Sequence, residues 1–494
     1  MLLSTANVKL SKTLSNQSFW TNIQDSVCLI SLSSLTKLLV SLSVFFLFLG
    51  CGGGGGSSPS AANTTGGEDN SMLYKVSFYD EEFNFNGTVE VNSAIINIAQ
   101  LKMDLNINAV ELYTASNDTD ISSETSYIIT KDTNLYALAN VTEIIDQTGL
   151  DDIRNNLAGK YILMNDIELV EGEAGFDAVL GWTPIGTFTG ILNGNGYKIT
   201  NIWIGMTTAN IGFFSIANGA LIKNLGIEIS ENKAISGYGM VGGIAGQINN
   251  SSIIHSYSIG NINGGNTGIE NLGGIVGYIQ NSNITNSYSI ANVSNGRFIG
   301  GIAGRVLAGS IISNSYFAGS VDGLPYAGGI AGRIESSDII NSYSSGNVTG
   351  TQYTGGISGY ALYGFIINNY SSGNVSGTQY VGGLLGMGRA TITNNAAINP
   401  SVARTSTYGN RVIGFASTSS GSSISNNFAR NDLDSGFTHS AESYAGIGRD
   451  DSEFLIEDTY KTGLNWSFGD NDTNPWKIEE SKNNGLPYLY WQDL

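Results

Sequence analysis

AGGIAG, at residues 327–332, is one copy of a hexapeptide that the sequence repeats. The other copies are VGGIAG at 241–246, LGGIVG at 272–277, IGGIAG at 299–304, TGGISG at 354–359 and VGGLLG at 381–386. Successive Gly-Gly pairs are 31, 27, 28, 27 and 27 residues apart. A fixed period of this length indicates a repeat architecture in which each unit is one small supersecondary structure.

A tyrosine follows each of the first five copies about 14 residues later, and these tyrosines keep the same period. They are Tyr257, Tyr288, Tyr316, Tyr343 and Tyr370. Ile-Ile or a similar apolar pair lies between the two markers, and a turn with a β-branched residue follows the tyrosine. Two markers that move in step over five units exclude a chance pattern.

A unit of 27 residues with short strands and no helical period is too small to fold alone, so neighbouring units must stack to bury a core. The sequence therefore predicts an all-β fold, a right-handed parallel β-helix (β-solenoid) of about eight to ten coils over residues 141–464. Gly and Asn are expected at the corners because both tolerate positive φ. The repeat degrades after Gly386, so we expect irregular loops or a cap between residues 390 and 460.

These repeats resemble the GLUG motif, which is found in bacterial surface and secreted proteins. The resemblance rests on the six hexapeptides and extends to WTPIG at 182–186 and LPYLYW at 486–491, so that it covers residues 141–494. It implies a β-solenoid at the cell surface. Some proteins with GLUG motifs are metallopeptidases, but their zinc signature is missing from this sequence.

The N-terminal region has the pattern of a targeting segment. Residues 38–50 form an apolar run of the length of a signal-peptide core, and Cys51 follows it directly. Residues 47–51, LFLGC, resemble a bacterial lipobox, although Phe48 stands where Leu is usual. The resemblance implies a signal peptide (1–50), lipidation of Cys51 and an outer membrane lipoprotein that faces the cell surface. The alternative is an ordinary signal anchor with an incidental cysteine.

Three further segments surround the predicted solenoid. Residues 51–71 are rich in Gly and Ser and predict a flexible tether. Residues 72–140 alternate polar and apolar side chains, and TKDTNLYA at 130–137 resembles the last strand of small β-grasp-like modules of bacterial surface proteins. Residues 141–157 have the apolar spacing of a helix that would cover the first coil, and the aromatic residues 465–494 are expected to cap the last coil.

Composition excludes several classes of function. The 494 residues include 22 basic and 41 acidic side chains, and a net charge of −19 without a basic stripe excludes nucleic-acid binding. The two cysteines, Cys28 and Cys51, lie near the N-terminus, and His255 and His439 are far apart. We therefore expect no metal site and no cofactor.

Catalysis is not expected either, although many parallel β-helices are carbohydrate-active enzymes. Glycoside hydrolysis needs two facing carboxylates, and no two acids share a position in adjacent repeats. Glu335 and Asp338 are close in sequence but are expected in a turn. Two denser acidic segments, at 166–173 and 450–458, could hold Ca²⁺, but their spacing favours solvated loops.

A second aromatic column precedes four of the hexapeptides: Phe298, Tyr326, Tyr353 and Tyr380. Aromatic side chains in a row on a regular sheet can bind sugar rings, or they can serve only to stack neighbouring coils. For the Tyr257–Tyr370 column we favour the stacking role. For the Phe298–Tyr380 column binding is also considered, and these four residues are the candidate ligand-binding site.

The sequence thus predicts a monomeric, lipid-anchored bacterial surface protein that recognises a glycan, a matrix or a host or neighbouring cell surface without catalysis. One alternative is a structural stalk or biofilm component that binds no specific ligand. The other is a carbohydrate-active β-helix enzyme. The sequence names no ligand.

Overall fold

In a computed structural model, the protein is described over residues 73–493, except for short segments at 81–84, 92–94, 106, 108–110, 116–119, 123, 130, 266–269, 406–407, 417–422 and 434–441. The predicted signal peptide (1–50), the lipidation site Cys51, the tether (51–71) and His439 lie outside the described residues. In the part that is described, no helix is both long enough and apolar enough to cross a membrane.

Residues 73–140 form a small module of two sheets and one helix. Strands β1 to β6 and helix α1 span Tyr74–Tyr79 (β1), Phe85–Val91 (β2), Ile95–Asn97 (β3), Ile98–Asp104 (α1), Tyr113–Thr114 (β4), Ser126–Ile128 (β5) and Thr133–Tyr136 (β6). β1 pairs antiparallel with β2 and parallel with β6, so the predicted small β module is present. Helix α1 was not predicted; it begins at Asn97, whose side chain accepts a hydrogen bond from the Gln100 N–H.

The helix predicted over residues 141–157 is shorter than expected. Val141–Ile144 is a strand of the solenoid, and helix α2 spans Gln147–Asp152, followed by a 3₁₀ turn at Ile153–Asn155. Asp146 caps α2 by accepting a hydrogen bond from the Gly149 N–H, which fixes its start. Leu150 and Ile153 are fully buried in the core of the solenoid, so the helix covers the first coil as predicted.

The solenoid has three sheets, which are parallel except where Gly181–Trp182 pairs antiparallel with its two neighbours in sheet 2. Sheet 1 contains Val141–Ile144, Lys160–Leu163, Ile185–Phe188, Ile191–Asn193, Phe214–Asn218, Leu221–Lys223, Ala245–Asn249, Ser252–Ile254, Val276–Gln280, Asn283–Thr285, Ala303–Leu307, Ile311–Ser313, Ala331–Glu335, Asp338–Ile340, Ser358–Ile367, Leu385–Thr393, Ile413–Ala416 and Ser423–Ser425. Sheet 3 contains Asn210–Ile211, Met240–Gly242, Asn271–Gly273, Phe298–Gly300, Tyr326–Gly328, Tyr353–Gly355, Val381–Gly382 and Gly409–Asn410.

Sheet 2 completes each coil and carries the Tyr257–Tyr370 column. It contains Ile167–Glu168, Phe176–Asp177, Gly181–Trp182, Lys198–Ile202, Ile204–Gly205, Gly226–Ile229, Ile235–Gly237, Tyr257–Gly264, Tyr288–Ser294, Tyr316–Phe317, Ser320–Asp322, Tyr343–Ser344, Asn347–Thr349, Tyr370–Ser371, Val375–Gly377, Ala396–Ala397, Val402–Arg404, Phe428–Arg430 and Ile447–Arg449. The solenoid makes about 9 turns of about 28 residues each, which confirms the predicted fold and period. One hydrophobic core runs through it from Ile144 to Ala429.

The glycines of the hexapeptide have a different role from the one predicted. None of the Gly-Gly pairs has a positive φ. They are glycine because the coils approach closely: a Cβ at Gly301 would lie 2.3 Å from the Gly329 carbonyl oxygen, and one at Gly329 would lie 2.1 Å from that of Gly356. The positive φ at the corner after sheet 1 belongs instead to asparagine in most coils, for example Asn314 and Asn341.

Buried polar side chains join the coils at that corner. The Ser287 N–H donates to Ser315 Oγ, and the Ser315 N–H donates to Ser342 Oγ, at 3.2 Å each. The Ser342 N–H then donates to Oδ1 of Asn369, at 2.9 Å. Each buried backbone donor at the turn is therefore satisfied by the next coil, which a bend in a solvent-free corner requires.

The repeat does not end where the sequence pattern degrades. Residues 385–430 form further coils in register with the earlier ones; Tyr370 is followed by Ala396 and then Phe428 at the same position of sheet 2. The prediction of irregular loops or a cap between residues 390 and 460 is therefore wrong for the strands up to residue 430. The backbone hydrogen bonds of the sheets continue although the side chains of the motif have changed. Helix α3 (Glu442–Ala445) precedes the last strand of sheet 2, Ile447–Arg449.

Candidate functional site

Five aromatic rings form a ladder along the sheet 3 edge, which we call the open ladder: Phe298, Tyr326, Tyr353, Tyr380 and Tyr408. Successive ring centroids are 4.7, 4.8, 5.3 and 5.0 Å apart, and successive ring planes differ by at most 20°. The structure thus brings the four predicted residues together. Tyr408 was missed, although it lies 28 residues after Tyr380 and so keeps the period.

The open ladder is partly exposed to solvent. Phe298 is 9% exposed, the three tyrosines that follow are half-buried, and Tyr408 is 39% exposed. Within the described residues, the hydroxyl groups of Tyr326, Tyr353 and Tyr380 make no hydrogen bond. Because the rings stack face to face, the faces of the inner rings are covered, and the ladder presents ring edges and hydroxyl groups to solvent.

A second column flanks the open ladder on sheet 1. It occupies the position directly after each of the six hexapeptides and one further coil, and the strand register aligns Gln247, Tyr278, Arg305, Arg333, Tyr360, Met387 and Phe415. Tyr360 stands at 85° to Tyr326 and at 70° to Tyr353, with centroids 5.8 and 5.6 Å apart. Phe415 has the same relation to Tyr380 and Tyr408. These two perpendicular rings are half-buried, and the Arg333 guanidinium lies over the Tyr360 ring, 5.3 Å from its centroid.

The Tyr257–Tyr370 column forms a second ladder, on sheet 2. Its centroids are 4.8, 4.9, 5.0 and 4.8 Å apart, and Tyr370 is fully buried. Residues 450–493, the C-terminal strap, cover this ladder. Trp491 stacks on Tyr288 and Tyr316, with centroids 6.2 and 5.7 Å away.

The C-terminal strap is held across many coils by polar contacts. The indole N–H of Trp491 donates to the Asn314 carbonyl at 2.9 Å, and that of Trp466 donates to the Asn394 carbonyl at 2.7 Å. The Tyr370 hydroxyl donates to the Pro487 carbonyl at 2.7 Å. We expected this aromatic segment to close the last coil, but it lies along the side of the solenoid.

The strap is built from short elements. They are a 3₁₀ turn at Asp451–Leu455, helix α4 at Glu457–Lys461, paired strands at Trp476–Lys477 and Tyr488–Leu489, and 3₁₀ turns at Asn483–Gly485 and Tyr490–Asp493. Its buried aromatic residues form one cluster with Tyr343 and Tyr370. Burial raises the pKa of the Tyr343 and Tyr370 hydroxyls well above the usual range. The second ladder is therefore part of an interior, and the stacking role predicted for it agrees with its burial.

His255 lies where the strap meets the solenoid. It has a φ of 48° at the corner position that asparagine occupies in most coils. Its Nε2 lies 3.0 Å from Nδ2 of Asn286, which also donates to Oδ1 of Asp472 at 2.8 Å. The ring of Trp491 is 6.4 Å away. The surroundings of His255 are those of a corner residue packed against the strap.

The acidic residues considered above have local partners. Glu335 and Asp338 lie in strands rather than in a turn, at the end of Ala331–Glu335 and the start of Asp338–Ile340. Asp338 accepts a hydrogen bond from the Phe365 N–H, and partial burial raises its pKa. Glu171 accepts from the Trp203 indole, and Asp451 pairs with Arg430. Among the described residues, no three potential metal ligands of the His, Cys, Asp or Glu type come together.

Comparison with known proteins identifies the repeat. The family model of the GLUG motif matches residues 268–294 and 323–349. A protein of Evansella cellulosilytica named "Putative Gly-rich membrane protein" is 36% identical over 119 residues, which is 22% of this chain and 13% of the relative. The chain thus matches only a small part of that protein's length.

A solved structure is also similar in outline. It is a crystal structure from Bacteroides ovatus described as "a putative immunoglobulin A1 protease", with 20% identity and a TM-score of 0.40 over 71% of this chain and 93% of that one. The two matched motifs fall on consecutive strands of the stacked coils described above. The chain therefore carries GLUG motifs in the stacked coils of a parallel β-solenoid.

Proposed function

We propose that this chain is a bacterial surface protein that binds a glycan along the open ladder and its flanking column, without catalysis. The observation that carries the proposal is the contrast between the two ladders. The chain covers the Tyr257–Tyr370 ladder with its own C-terminal strap, whereas the open ladder has no such cover within the described residues. Regular exposed aromatic surface of this kind is typical of recognition sites.

The geometry suggests how a sugar would be bound. Sugar rings cannot stack on the inner faces of the ladder, because neighbouring rings occupy them. The half-buried rings of Tyr360 and Phe415, with the exposed ring edges of the ladder, can contact the apolar faces of sugar rings. The hydroxyl groups of Tyr326, Tyr353 and Tyr380 can donate to and accept from sugar hydroxyls. A polymer that lies along the solenoid axis would meet the same groups once in each coil.

Attachment to the membrane through Cys51 completes the proposal. It is supported by the lipobox-like residues 47–51, by the GLUG repeats and by a relative that is named as a membrane protein. We expect palmitate labelling of the full chain in a bacterial host, and fractionation with the outer membrane. A Cys51→Ala variant that remained labelled would contradict the anchor.

A glycan array tests the binding surface. We expect the wild-type chain to bind a subset of glycans, and the Tyr353→Ala/Tyr380→Ala variant to lose that binding. Tyr363→Ala is the matched control, because Tyr363 is 48% exposed on the solenoid but lies outside the open ladder. Unchanged binding by the double variant would refute the site.

The two alternative functions, a structural stalk and a carbohydrate-active enzyme, predict different results for the same purified protein. A structural stalk would bind no glycan on the array, with or without the substitutions. A carbohydrate-active enzyme would release new reducing ends when it is incubated with polysaccharides, and the proposal predicts none. Sedimentation analysis is expected to show a monomer.

A further inference from the structure

Two arginines occupy directly opposite positions in adjacent coils beside the open ladder. Arg305 is in register with Arg333 on sheet 1, where neighbouring strands are about 4.8 Å apart. Like charges placed directly opposite each other in a sheet are destabilising. The guanidinium groups share one counter-charge: Nη2 of Arg305 and Nη2 of Arg333 lie 3.2 and 2.9 Å from the same Oε2 of Glu335.

Another pair of opposite arginines in the described residues is neutralised more fully. Arg430 is in register with Arg449 on sheet 2. Arg430 pairs with Asp432 and Asp451, and Arg449 pairs with Glu453, so that three carboxylates serve the two guanidinium groups. The Arg430/Arg449 pair thus has more carboxylates than guanidinium groups, whereas the Arg305/Arg333 pair shares a single carboxylate.

A third guanidinium group adds to the positive charge beside the ladder. The Cζ atoms of Arg297, Arg305 and Arg333 lie 5.2, 5.6 and 5.9 Å from the centroid of Phe298, the first ring of the open ladder. Arg297 makes no ion pair within the described residues. Glu270, one coil before Arg297, is fully buried. Three cations and two acids therefore leave a net positive site on a chain whose net charge is −19.

We propose that the Arg305/Arg333 pair, with Arg297, is the site that binds the anionic group of an acidic polysaccharide, while the rest of the sugar chain lies along the open ladder. The inference rests on the proposed glycan-binding function and names its ligand class. Each guanidinium has five N–H donors in a planar fork that matches a carboxylate or a sulfate, and one hydrogen bond from each goes to Glu335. The side chains of Arg305 and Arg333 are 29% and 21% exposed, whereas the Nε atom of each is buried and makes no hydrogen bond, so a ligand would be bound by the terminal Nη donors.

Equilibrium binding to soluble polymers tests the assignment. The full chain is titrated with polygalacturonate, which carries carboxylates, with dextran sulfate, which carries sulfates, and with a neutral xylan, all in EDTA. We expect tighter binding of at least one anionic polymer than of the neutral one, and weaker binding as NaCl is raised. The two anionic polymers distinguish a carboxylate ligand from a sulfate ligand.

Substitutions locate the charge that matters. We expect Arg305→Gln/Arg333→Gln to weaken binding of the anionic polymer by about tenfold to a hundredfold, the effect of losing a charge-assisted hydrogen bond. Lys233→Gln/Arg389→Gln also removes two positive charges, but at positions away from the Arg305/Arg333 pair, and it should leave the affinity close to wild type. Arg305→Lys/Arg333→Lys keeps the charge but loses the fork, so it should bind less tightly than wild type. Circular dichroism and thermal unfolding verify that each variant is folded.

Each outcome decides between the inference and the function on which it rests. Binding of an anionic polymer that falls only in the Arg305/Arg333 variants supports the inference. Equal binding of neutral and anionic polymers, or undiminished binding by Arg305→Gln/Arg333→Gln, overturns it. If neutral xylan binds and Tyr353→Ala/Tyr380→Ala abolishes that binding, the glycan-binding function stands without the inference. If no glycan binds, both fail.

Discussion

Substitution of Gly329 by alanine tests why the hexapeptide contains glycine. An added Cβ would lie 2.1 Å from the carbonyl oxygen of Gly356 and 2.1 Å from Oγ of Ser344. Both distances are more than 1 Å short of the 3.4 Å at which ordinary contact begins. The coils would have to separate, and the hydrogen bond from the Gly329 N–H to the Gly355 carbonyl, already 3.3 Å long, would break.

The expected cost follows from these two effects. Overpacking against a rigid backbone costs about 1–3 kcal/mol or more. The lost backbone hydrogen bond adds about 1 kcal/mol. We therefore expect Gly329→Ala to lower the free energy of unfolding by about 3 kcal/mol or more, and to weaken the interface between two coils rather than one coil alone.

Gly309→Ala is the matched control, because Gly309 has a φ of 75° and nothing lies within 4 Å of an added Cβ. Gly309→Ala should lower the free energy of unfolding only by the cost of placing alanine in the left-handed backbone region, about 1–2 kcal/mol. Urea unfolding followed by circular dichroism compares the two variants, and limited proteolysis shows where coils separate. If Gly329→Ala is no less stable than Gly309→Ala, close approach of the coils does not explain the motif.

Three further predictions concern the polar corner and the C-terminal strap. Asn369→Ala leaves the buried N–H of Ser342 without an acceptor and should lower the free energy of unfolding, measured by thermal unfolding, by about 1–3 kcal/mol. Asn369→Ser should lower it less, because a serine hydroxyl is the acceptor at this position in earlier coils. Trp491→Ala removes three ring contacts and one hydrogen bond, so it should lower the free energy of unfolding by about 1–3 kcal/mol. It should also make the covered tyrosines reactive to iodination, which Trp491→Phe should not. Burial and the neighbouring Asp472 raise the pKa of Tyr490 to about 12. In the unfolded chain the Tyr490 hydroxyl ionises near pH 10, so its contribution to stability is complete below about pH 10 and is lost as the pH rises towards 12. Trp fluorescence should report release of the strap in that pH range. Tyr490→Phe should move the onset of release to higher pH.

The repeat could be predicted from the sequence because one backbone position recurs in every coil. The regular spacing of Phe298, Tyr326, Tyr353 and Tyr380 predicts that they form one column, and the structure stacks them at 4.7–5.3 Å. The regularity of the coils past Gly386 was missed because backbone hydrogen bonds maintain a coil after its characteristic side chains are lost. Position 396 is alanine, yet it pairs in register with Tyr370.

The exposure of each column could not be predicted from the repeats. Which ladder is covered depends on the C-terminal strap, whose residues have no period and whose contacts join residues far apart in sequence, such as Tyr343 and Gln492. The shared Glu335 was missed for a related reason. Sequence proximity placed it in a turn with Asp338, whereas the strand register places it beside Arg305 from the preceding coil.

Footprinting of the complex tests the central claim most directly. Hydroxyl radicals label exposed aromatic side chains, and mass spectrometry compares the full chain alone with the chain bound to its glycan. The account predicts protection of Tyr326, Tyr353, Tyr360 and Tyr380, with Tyr363 labelled equally in both samples. Protection confined to other parts of the solenoid, or none at the open ladder, would contradict it.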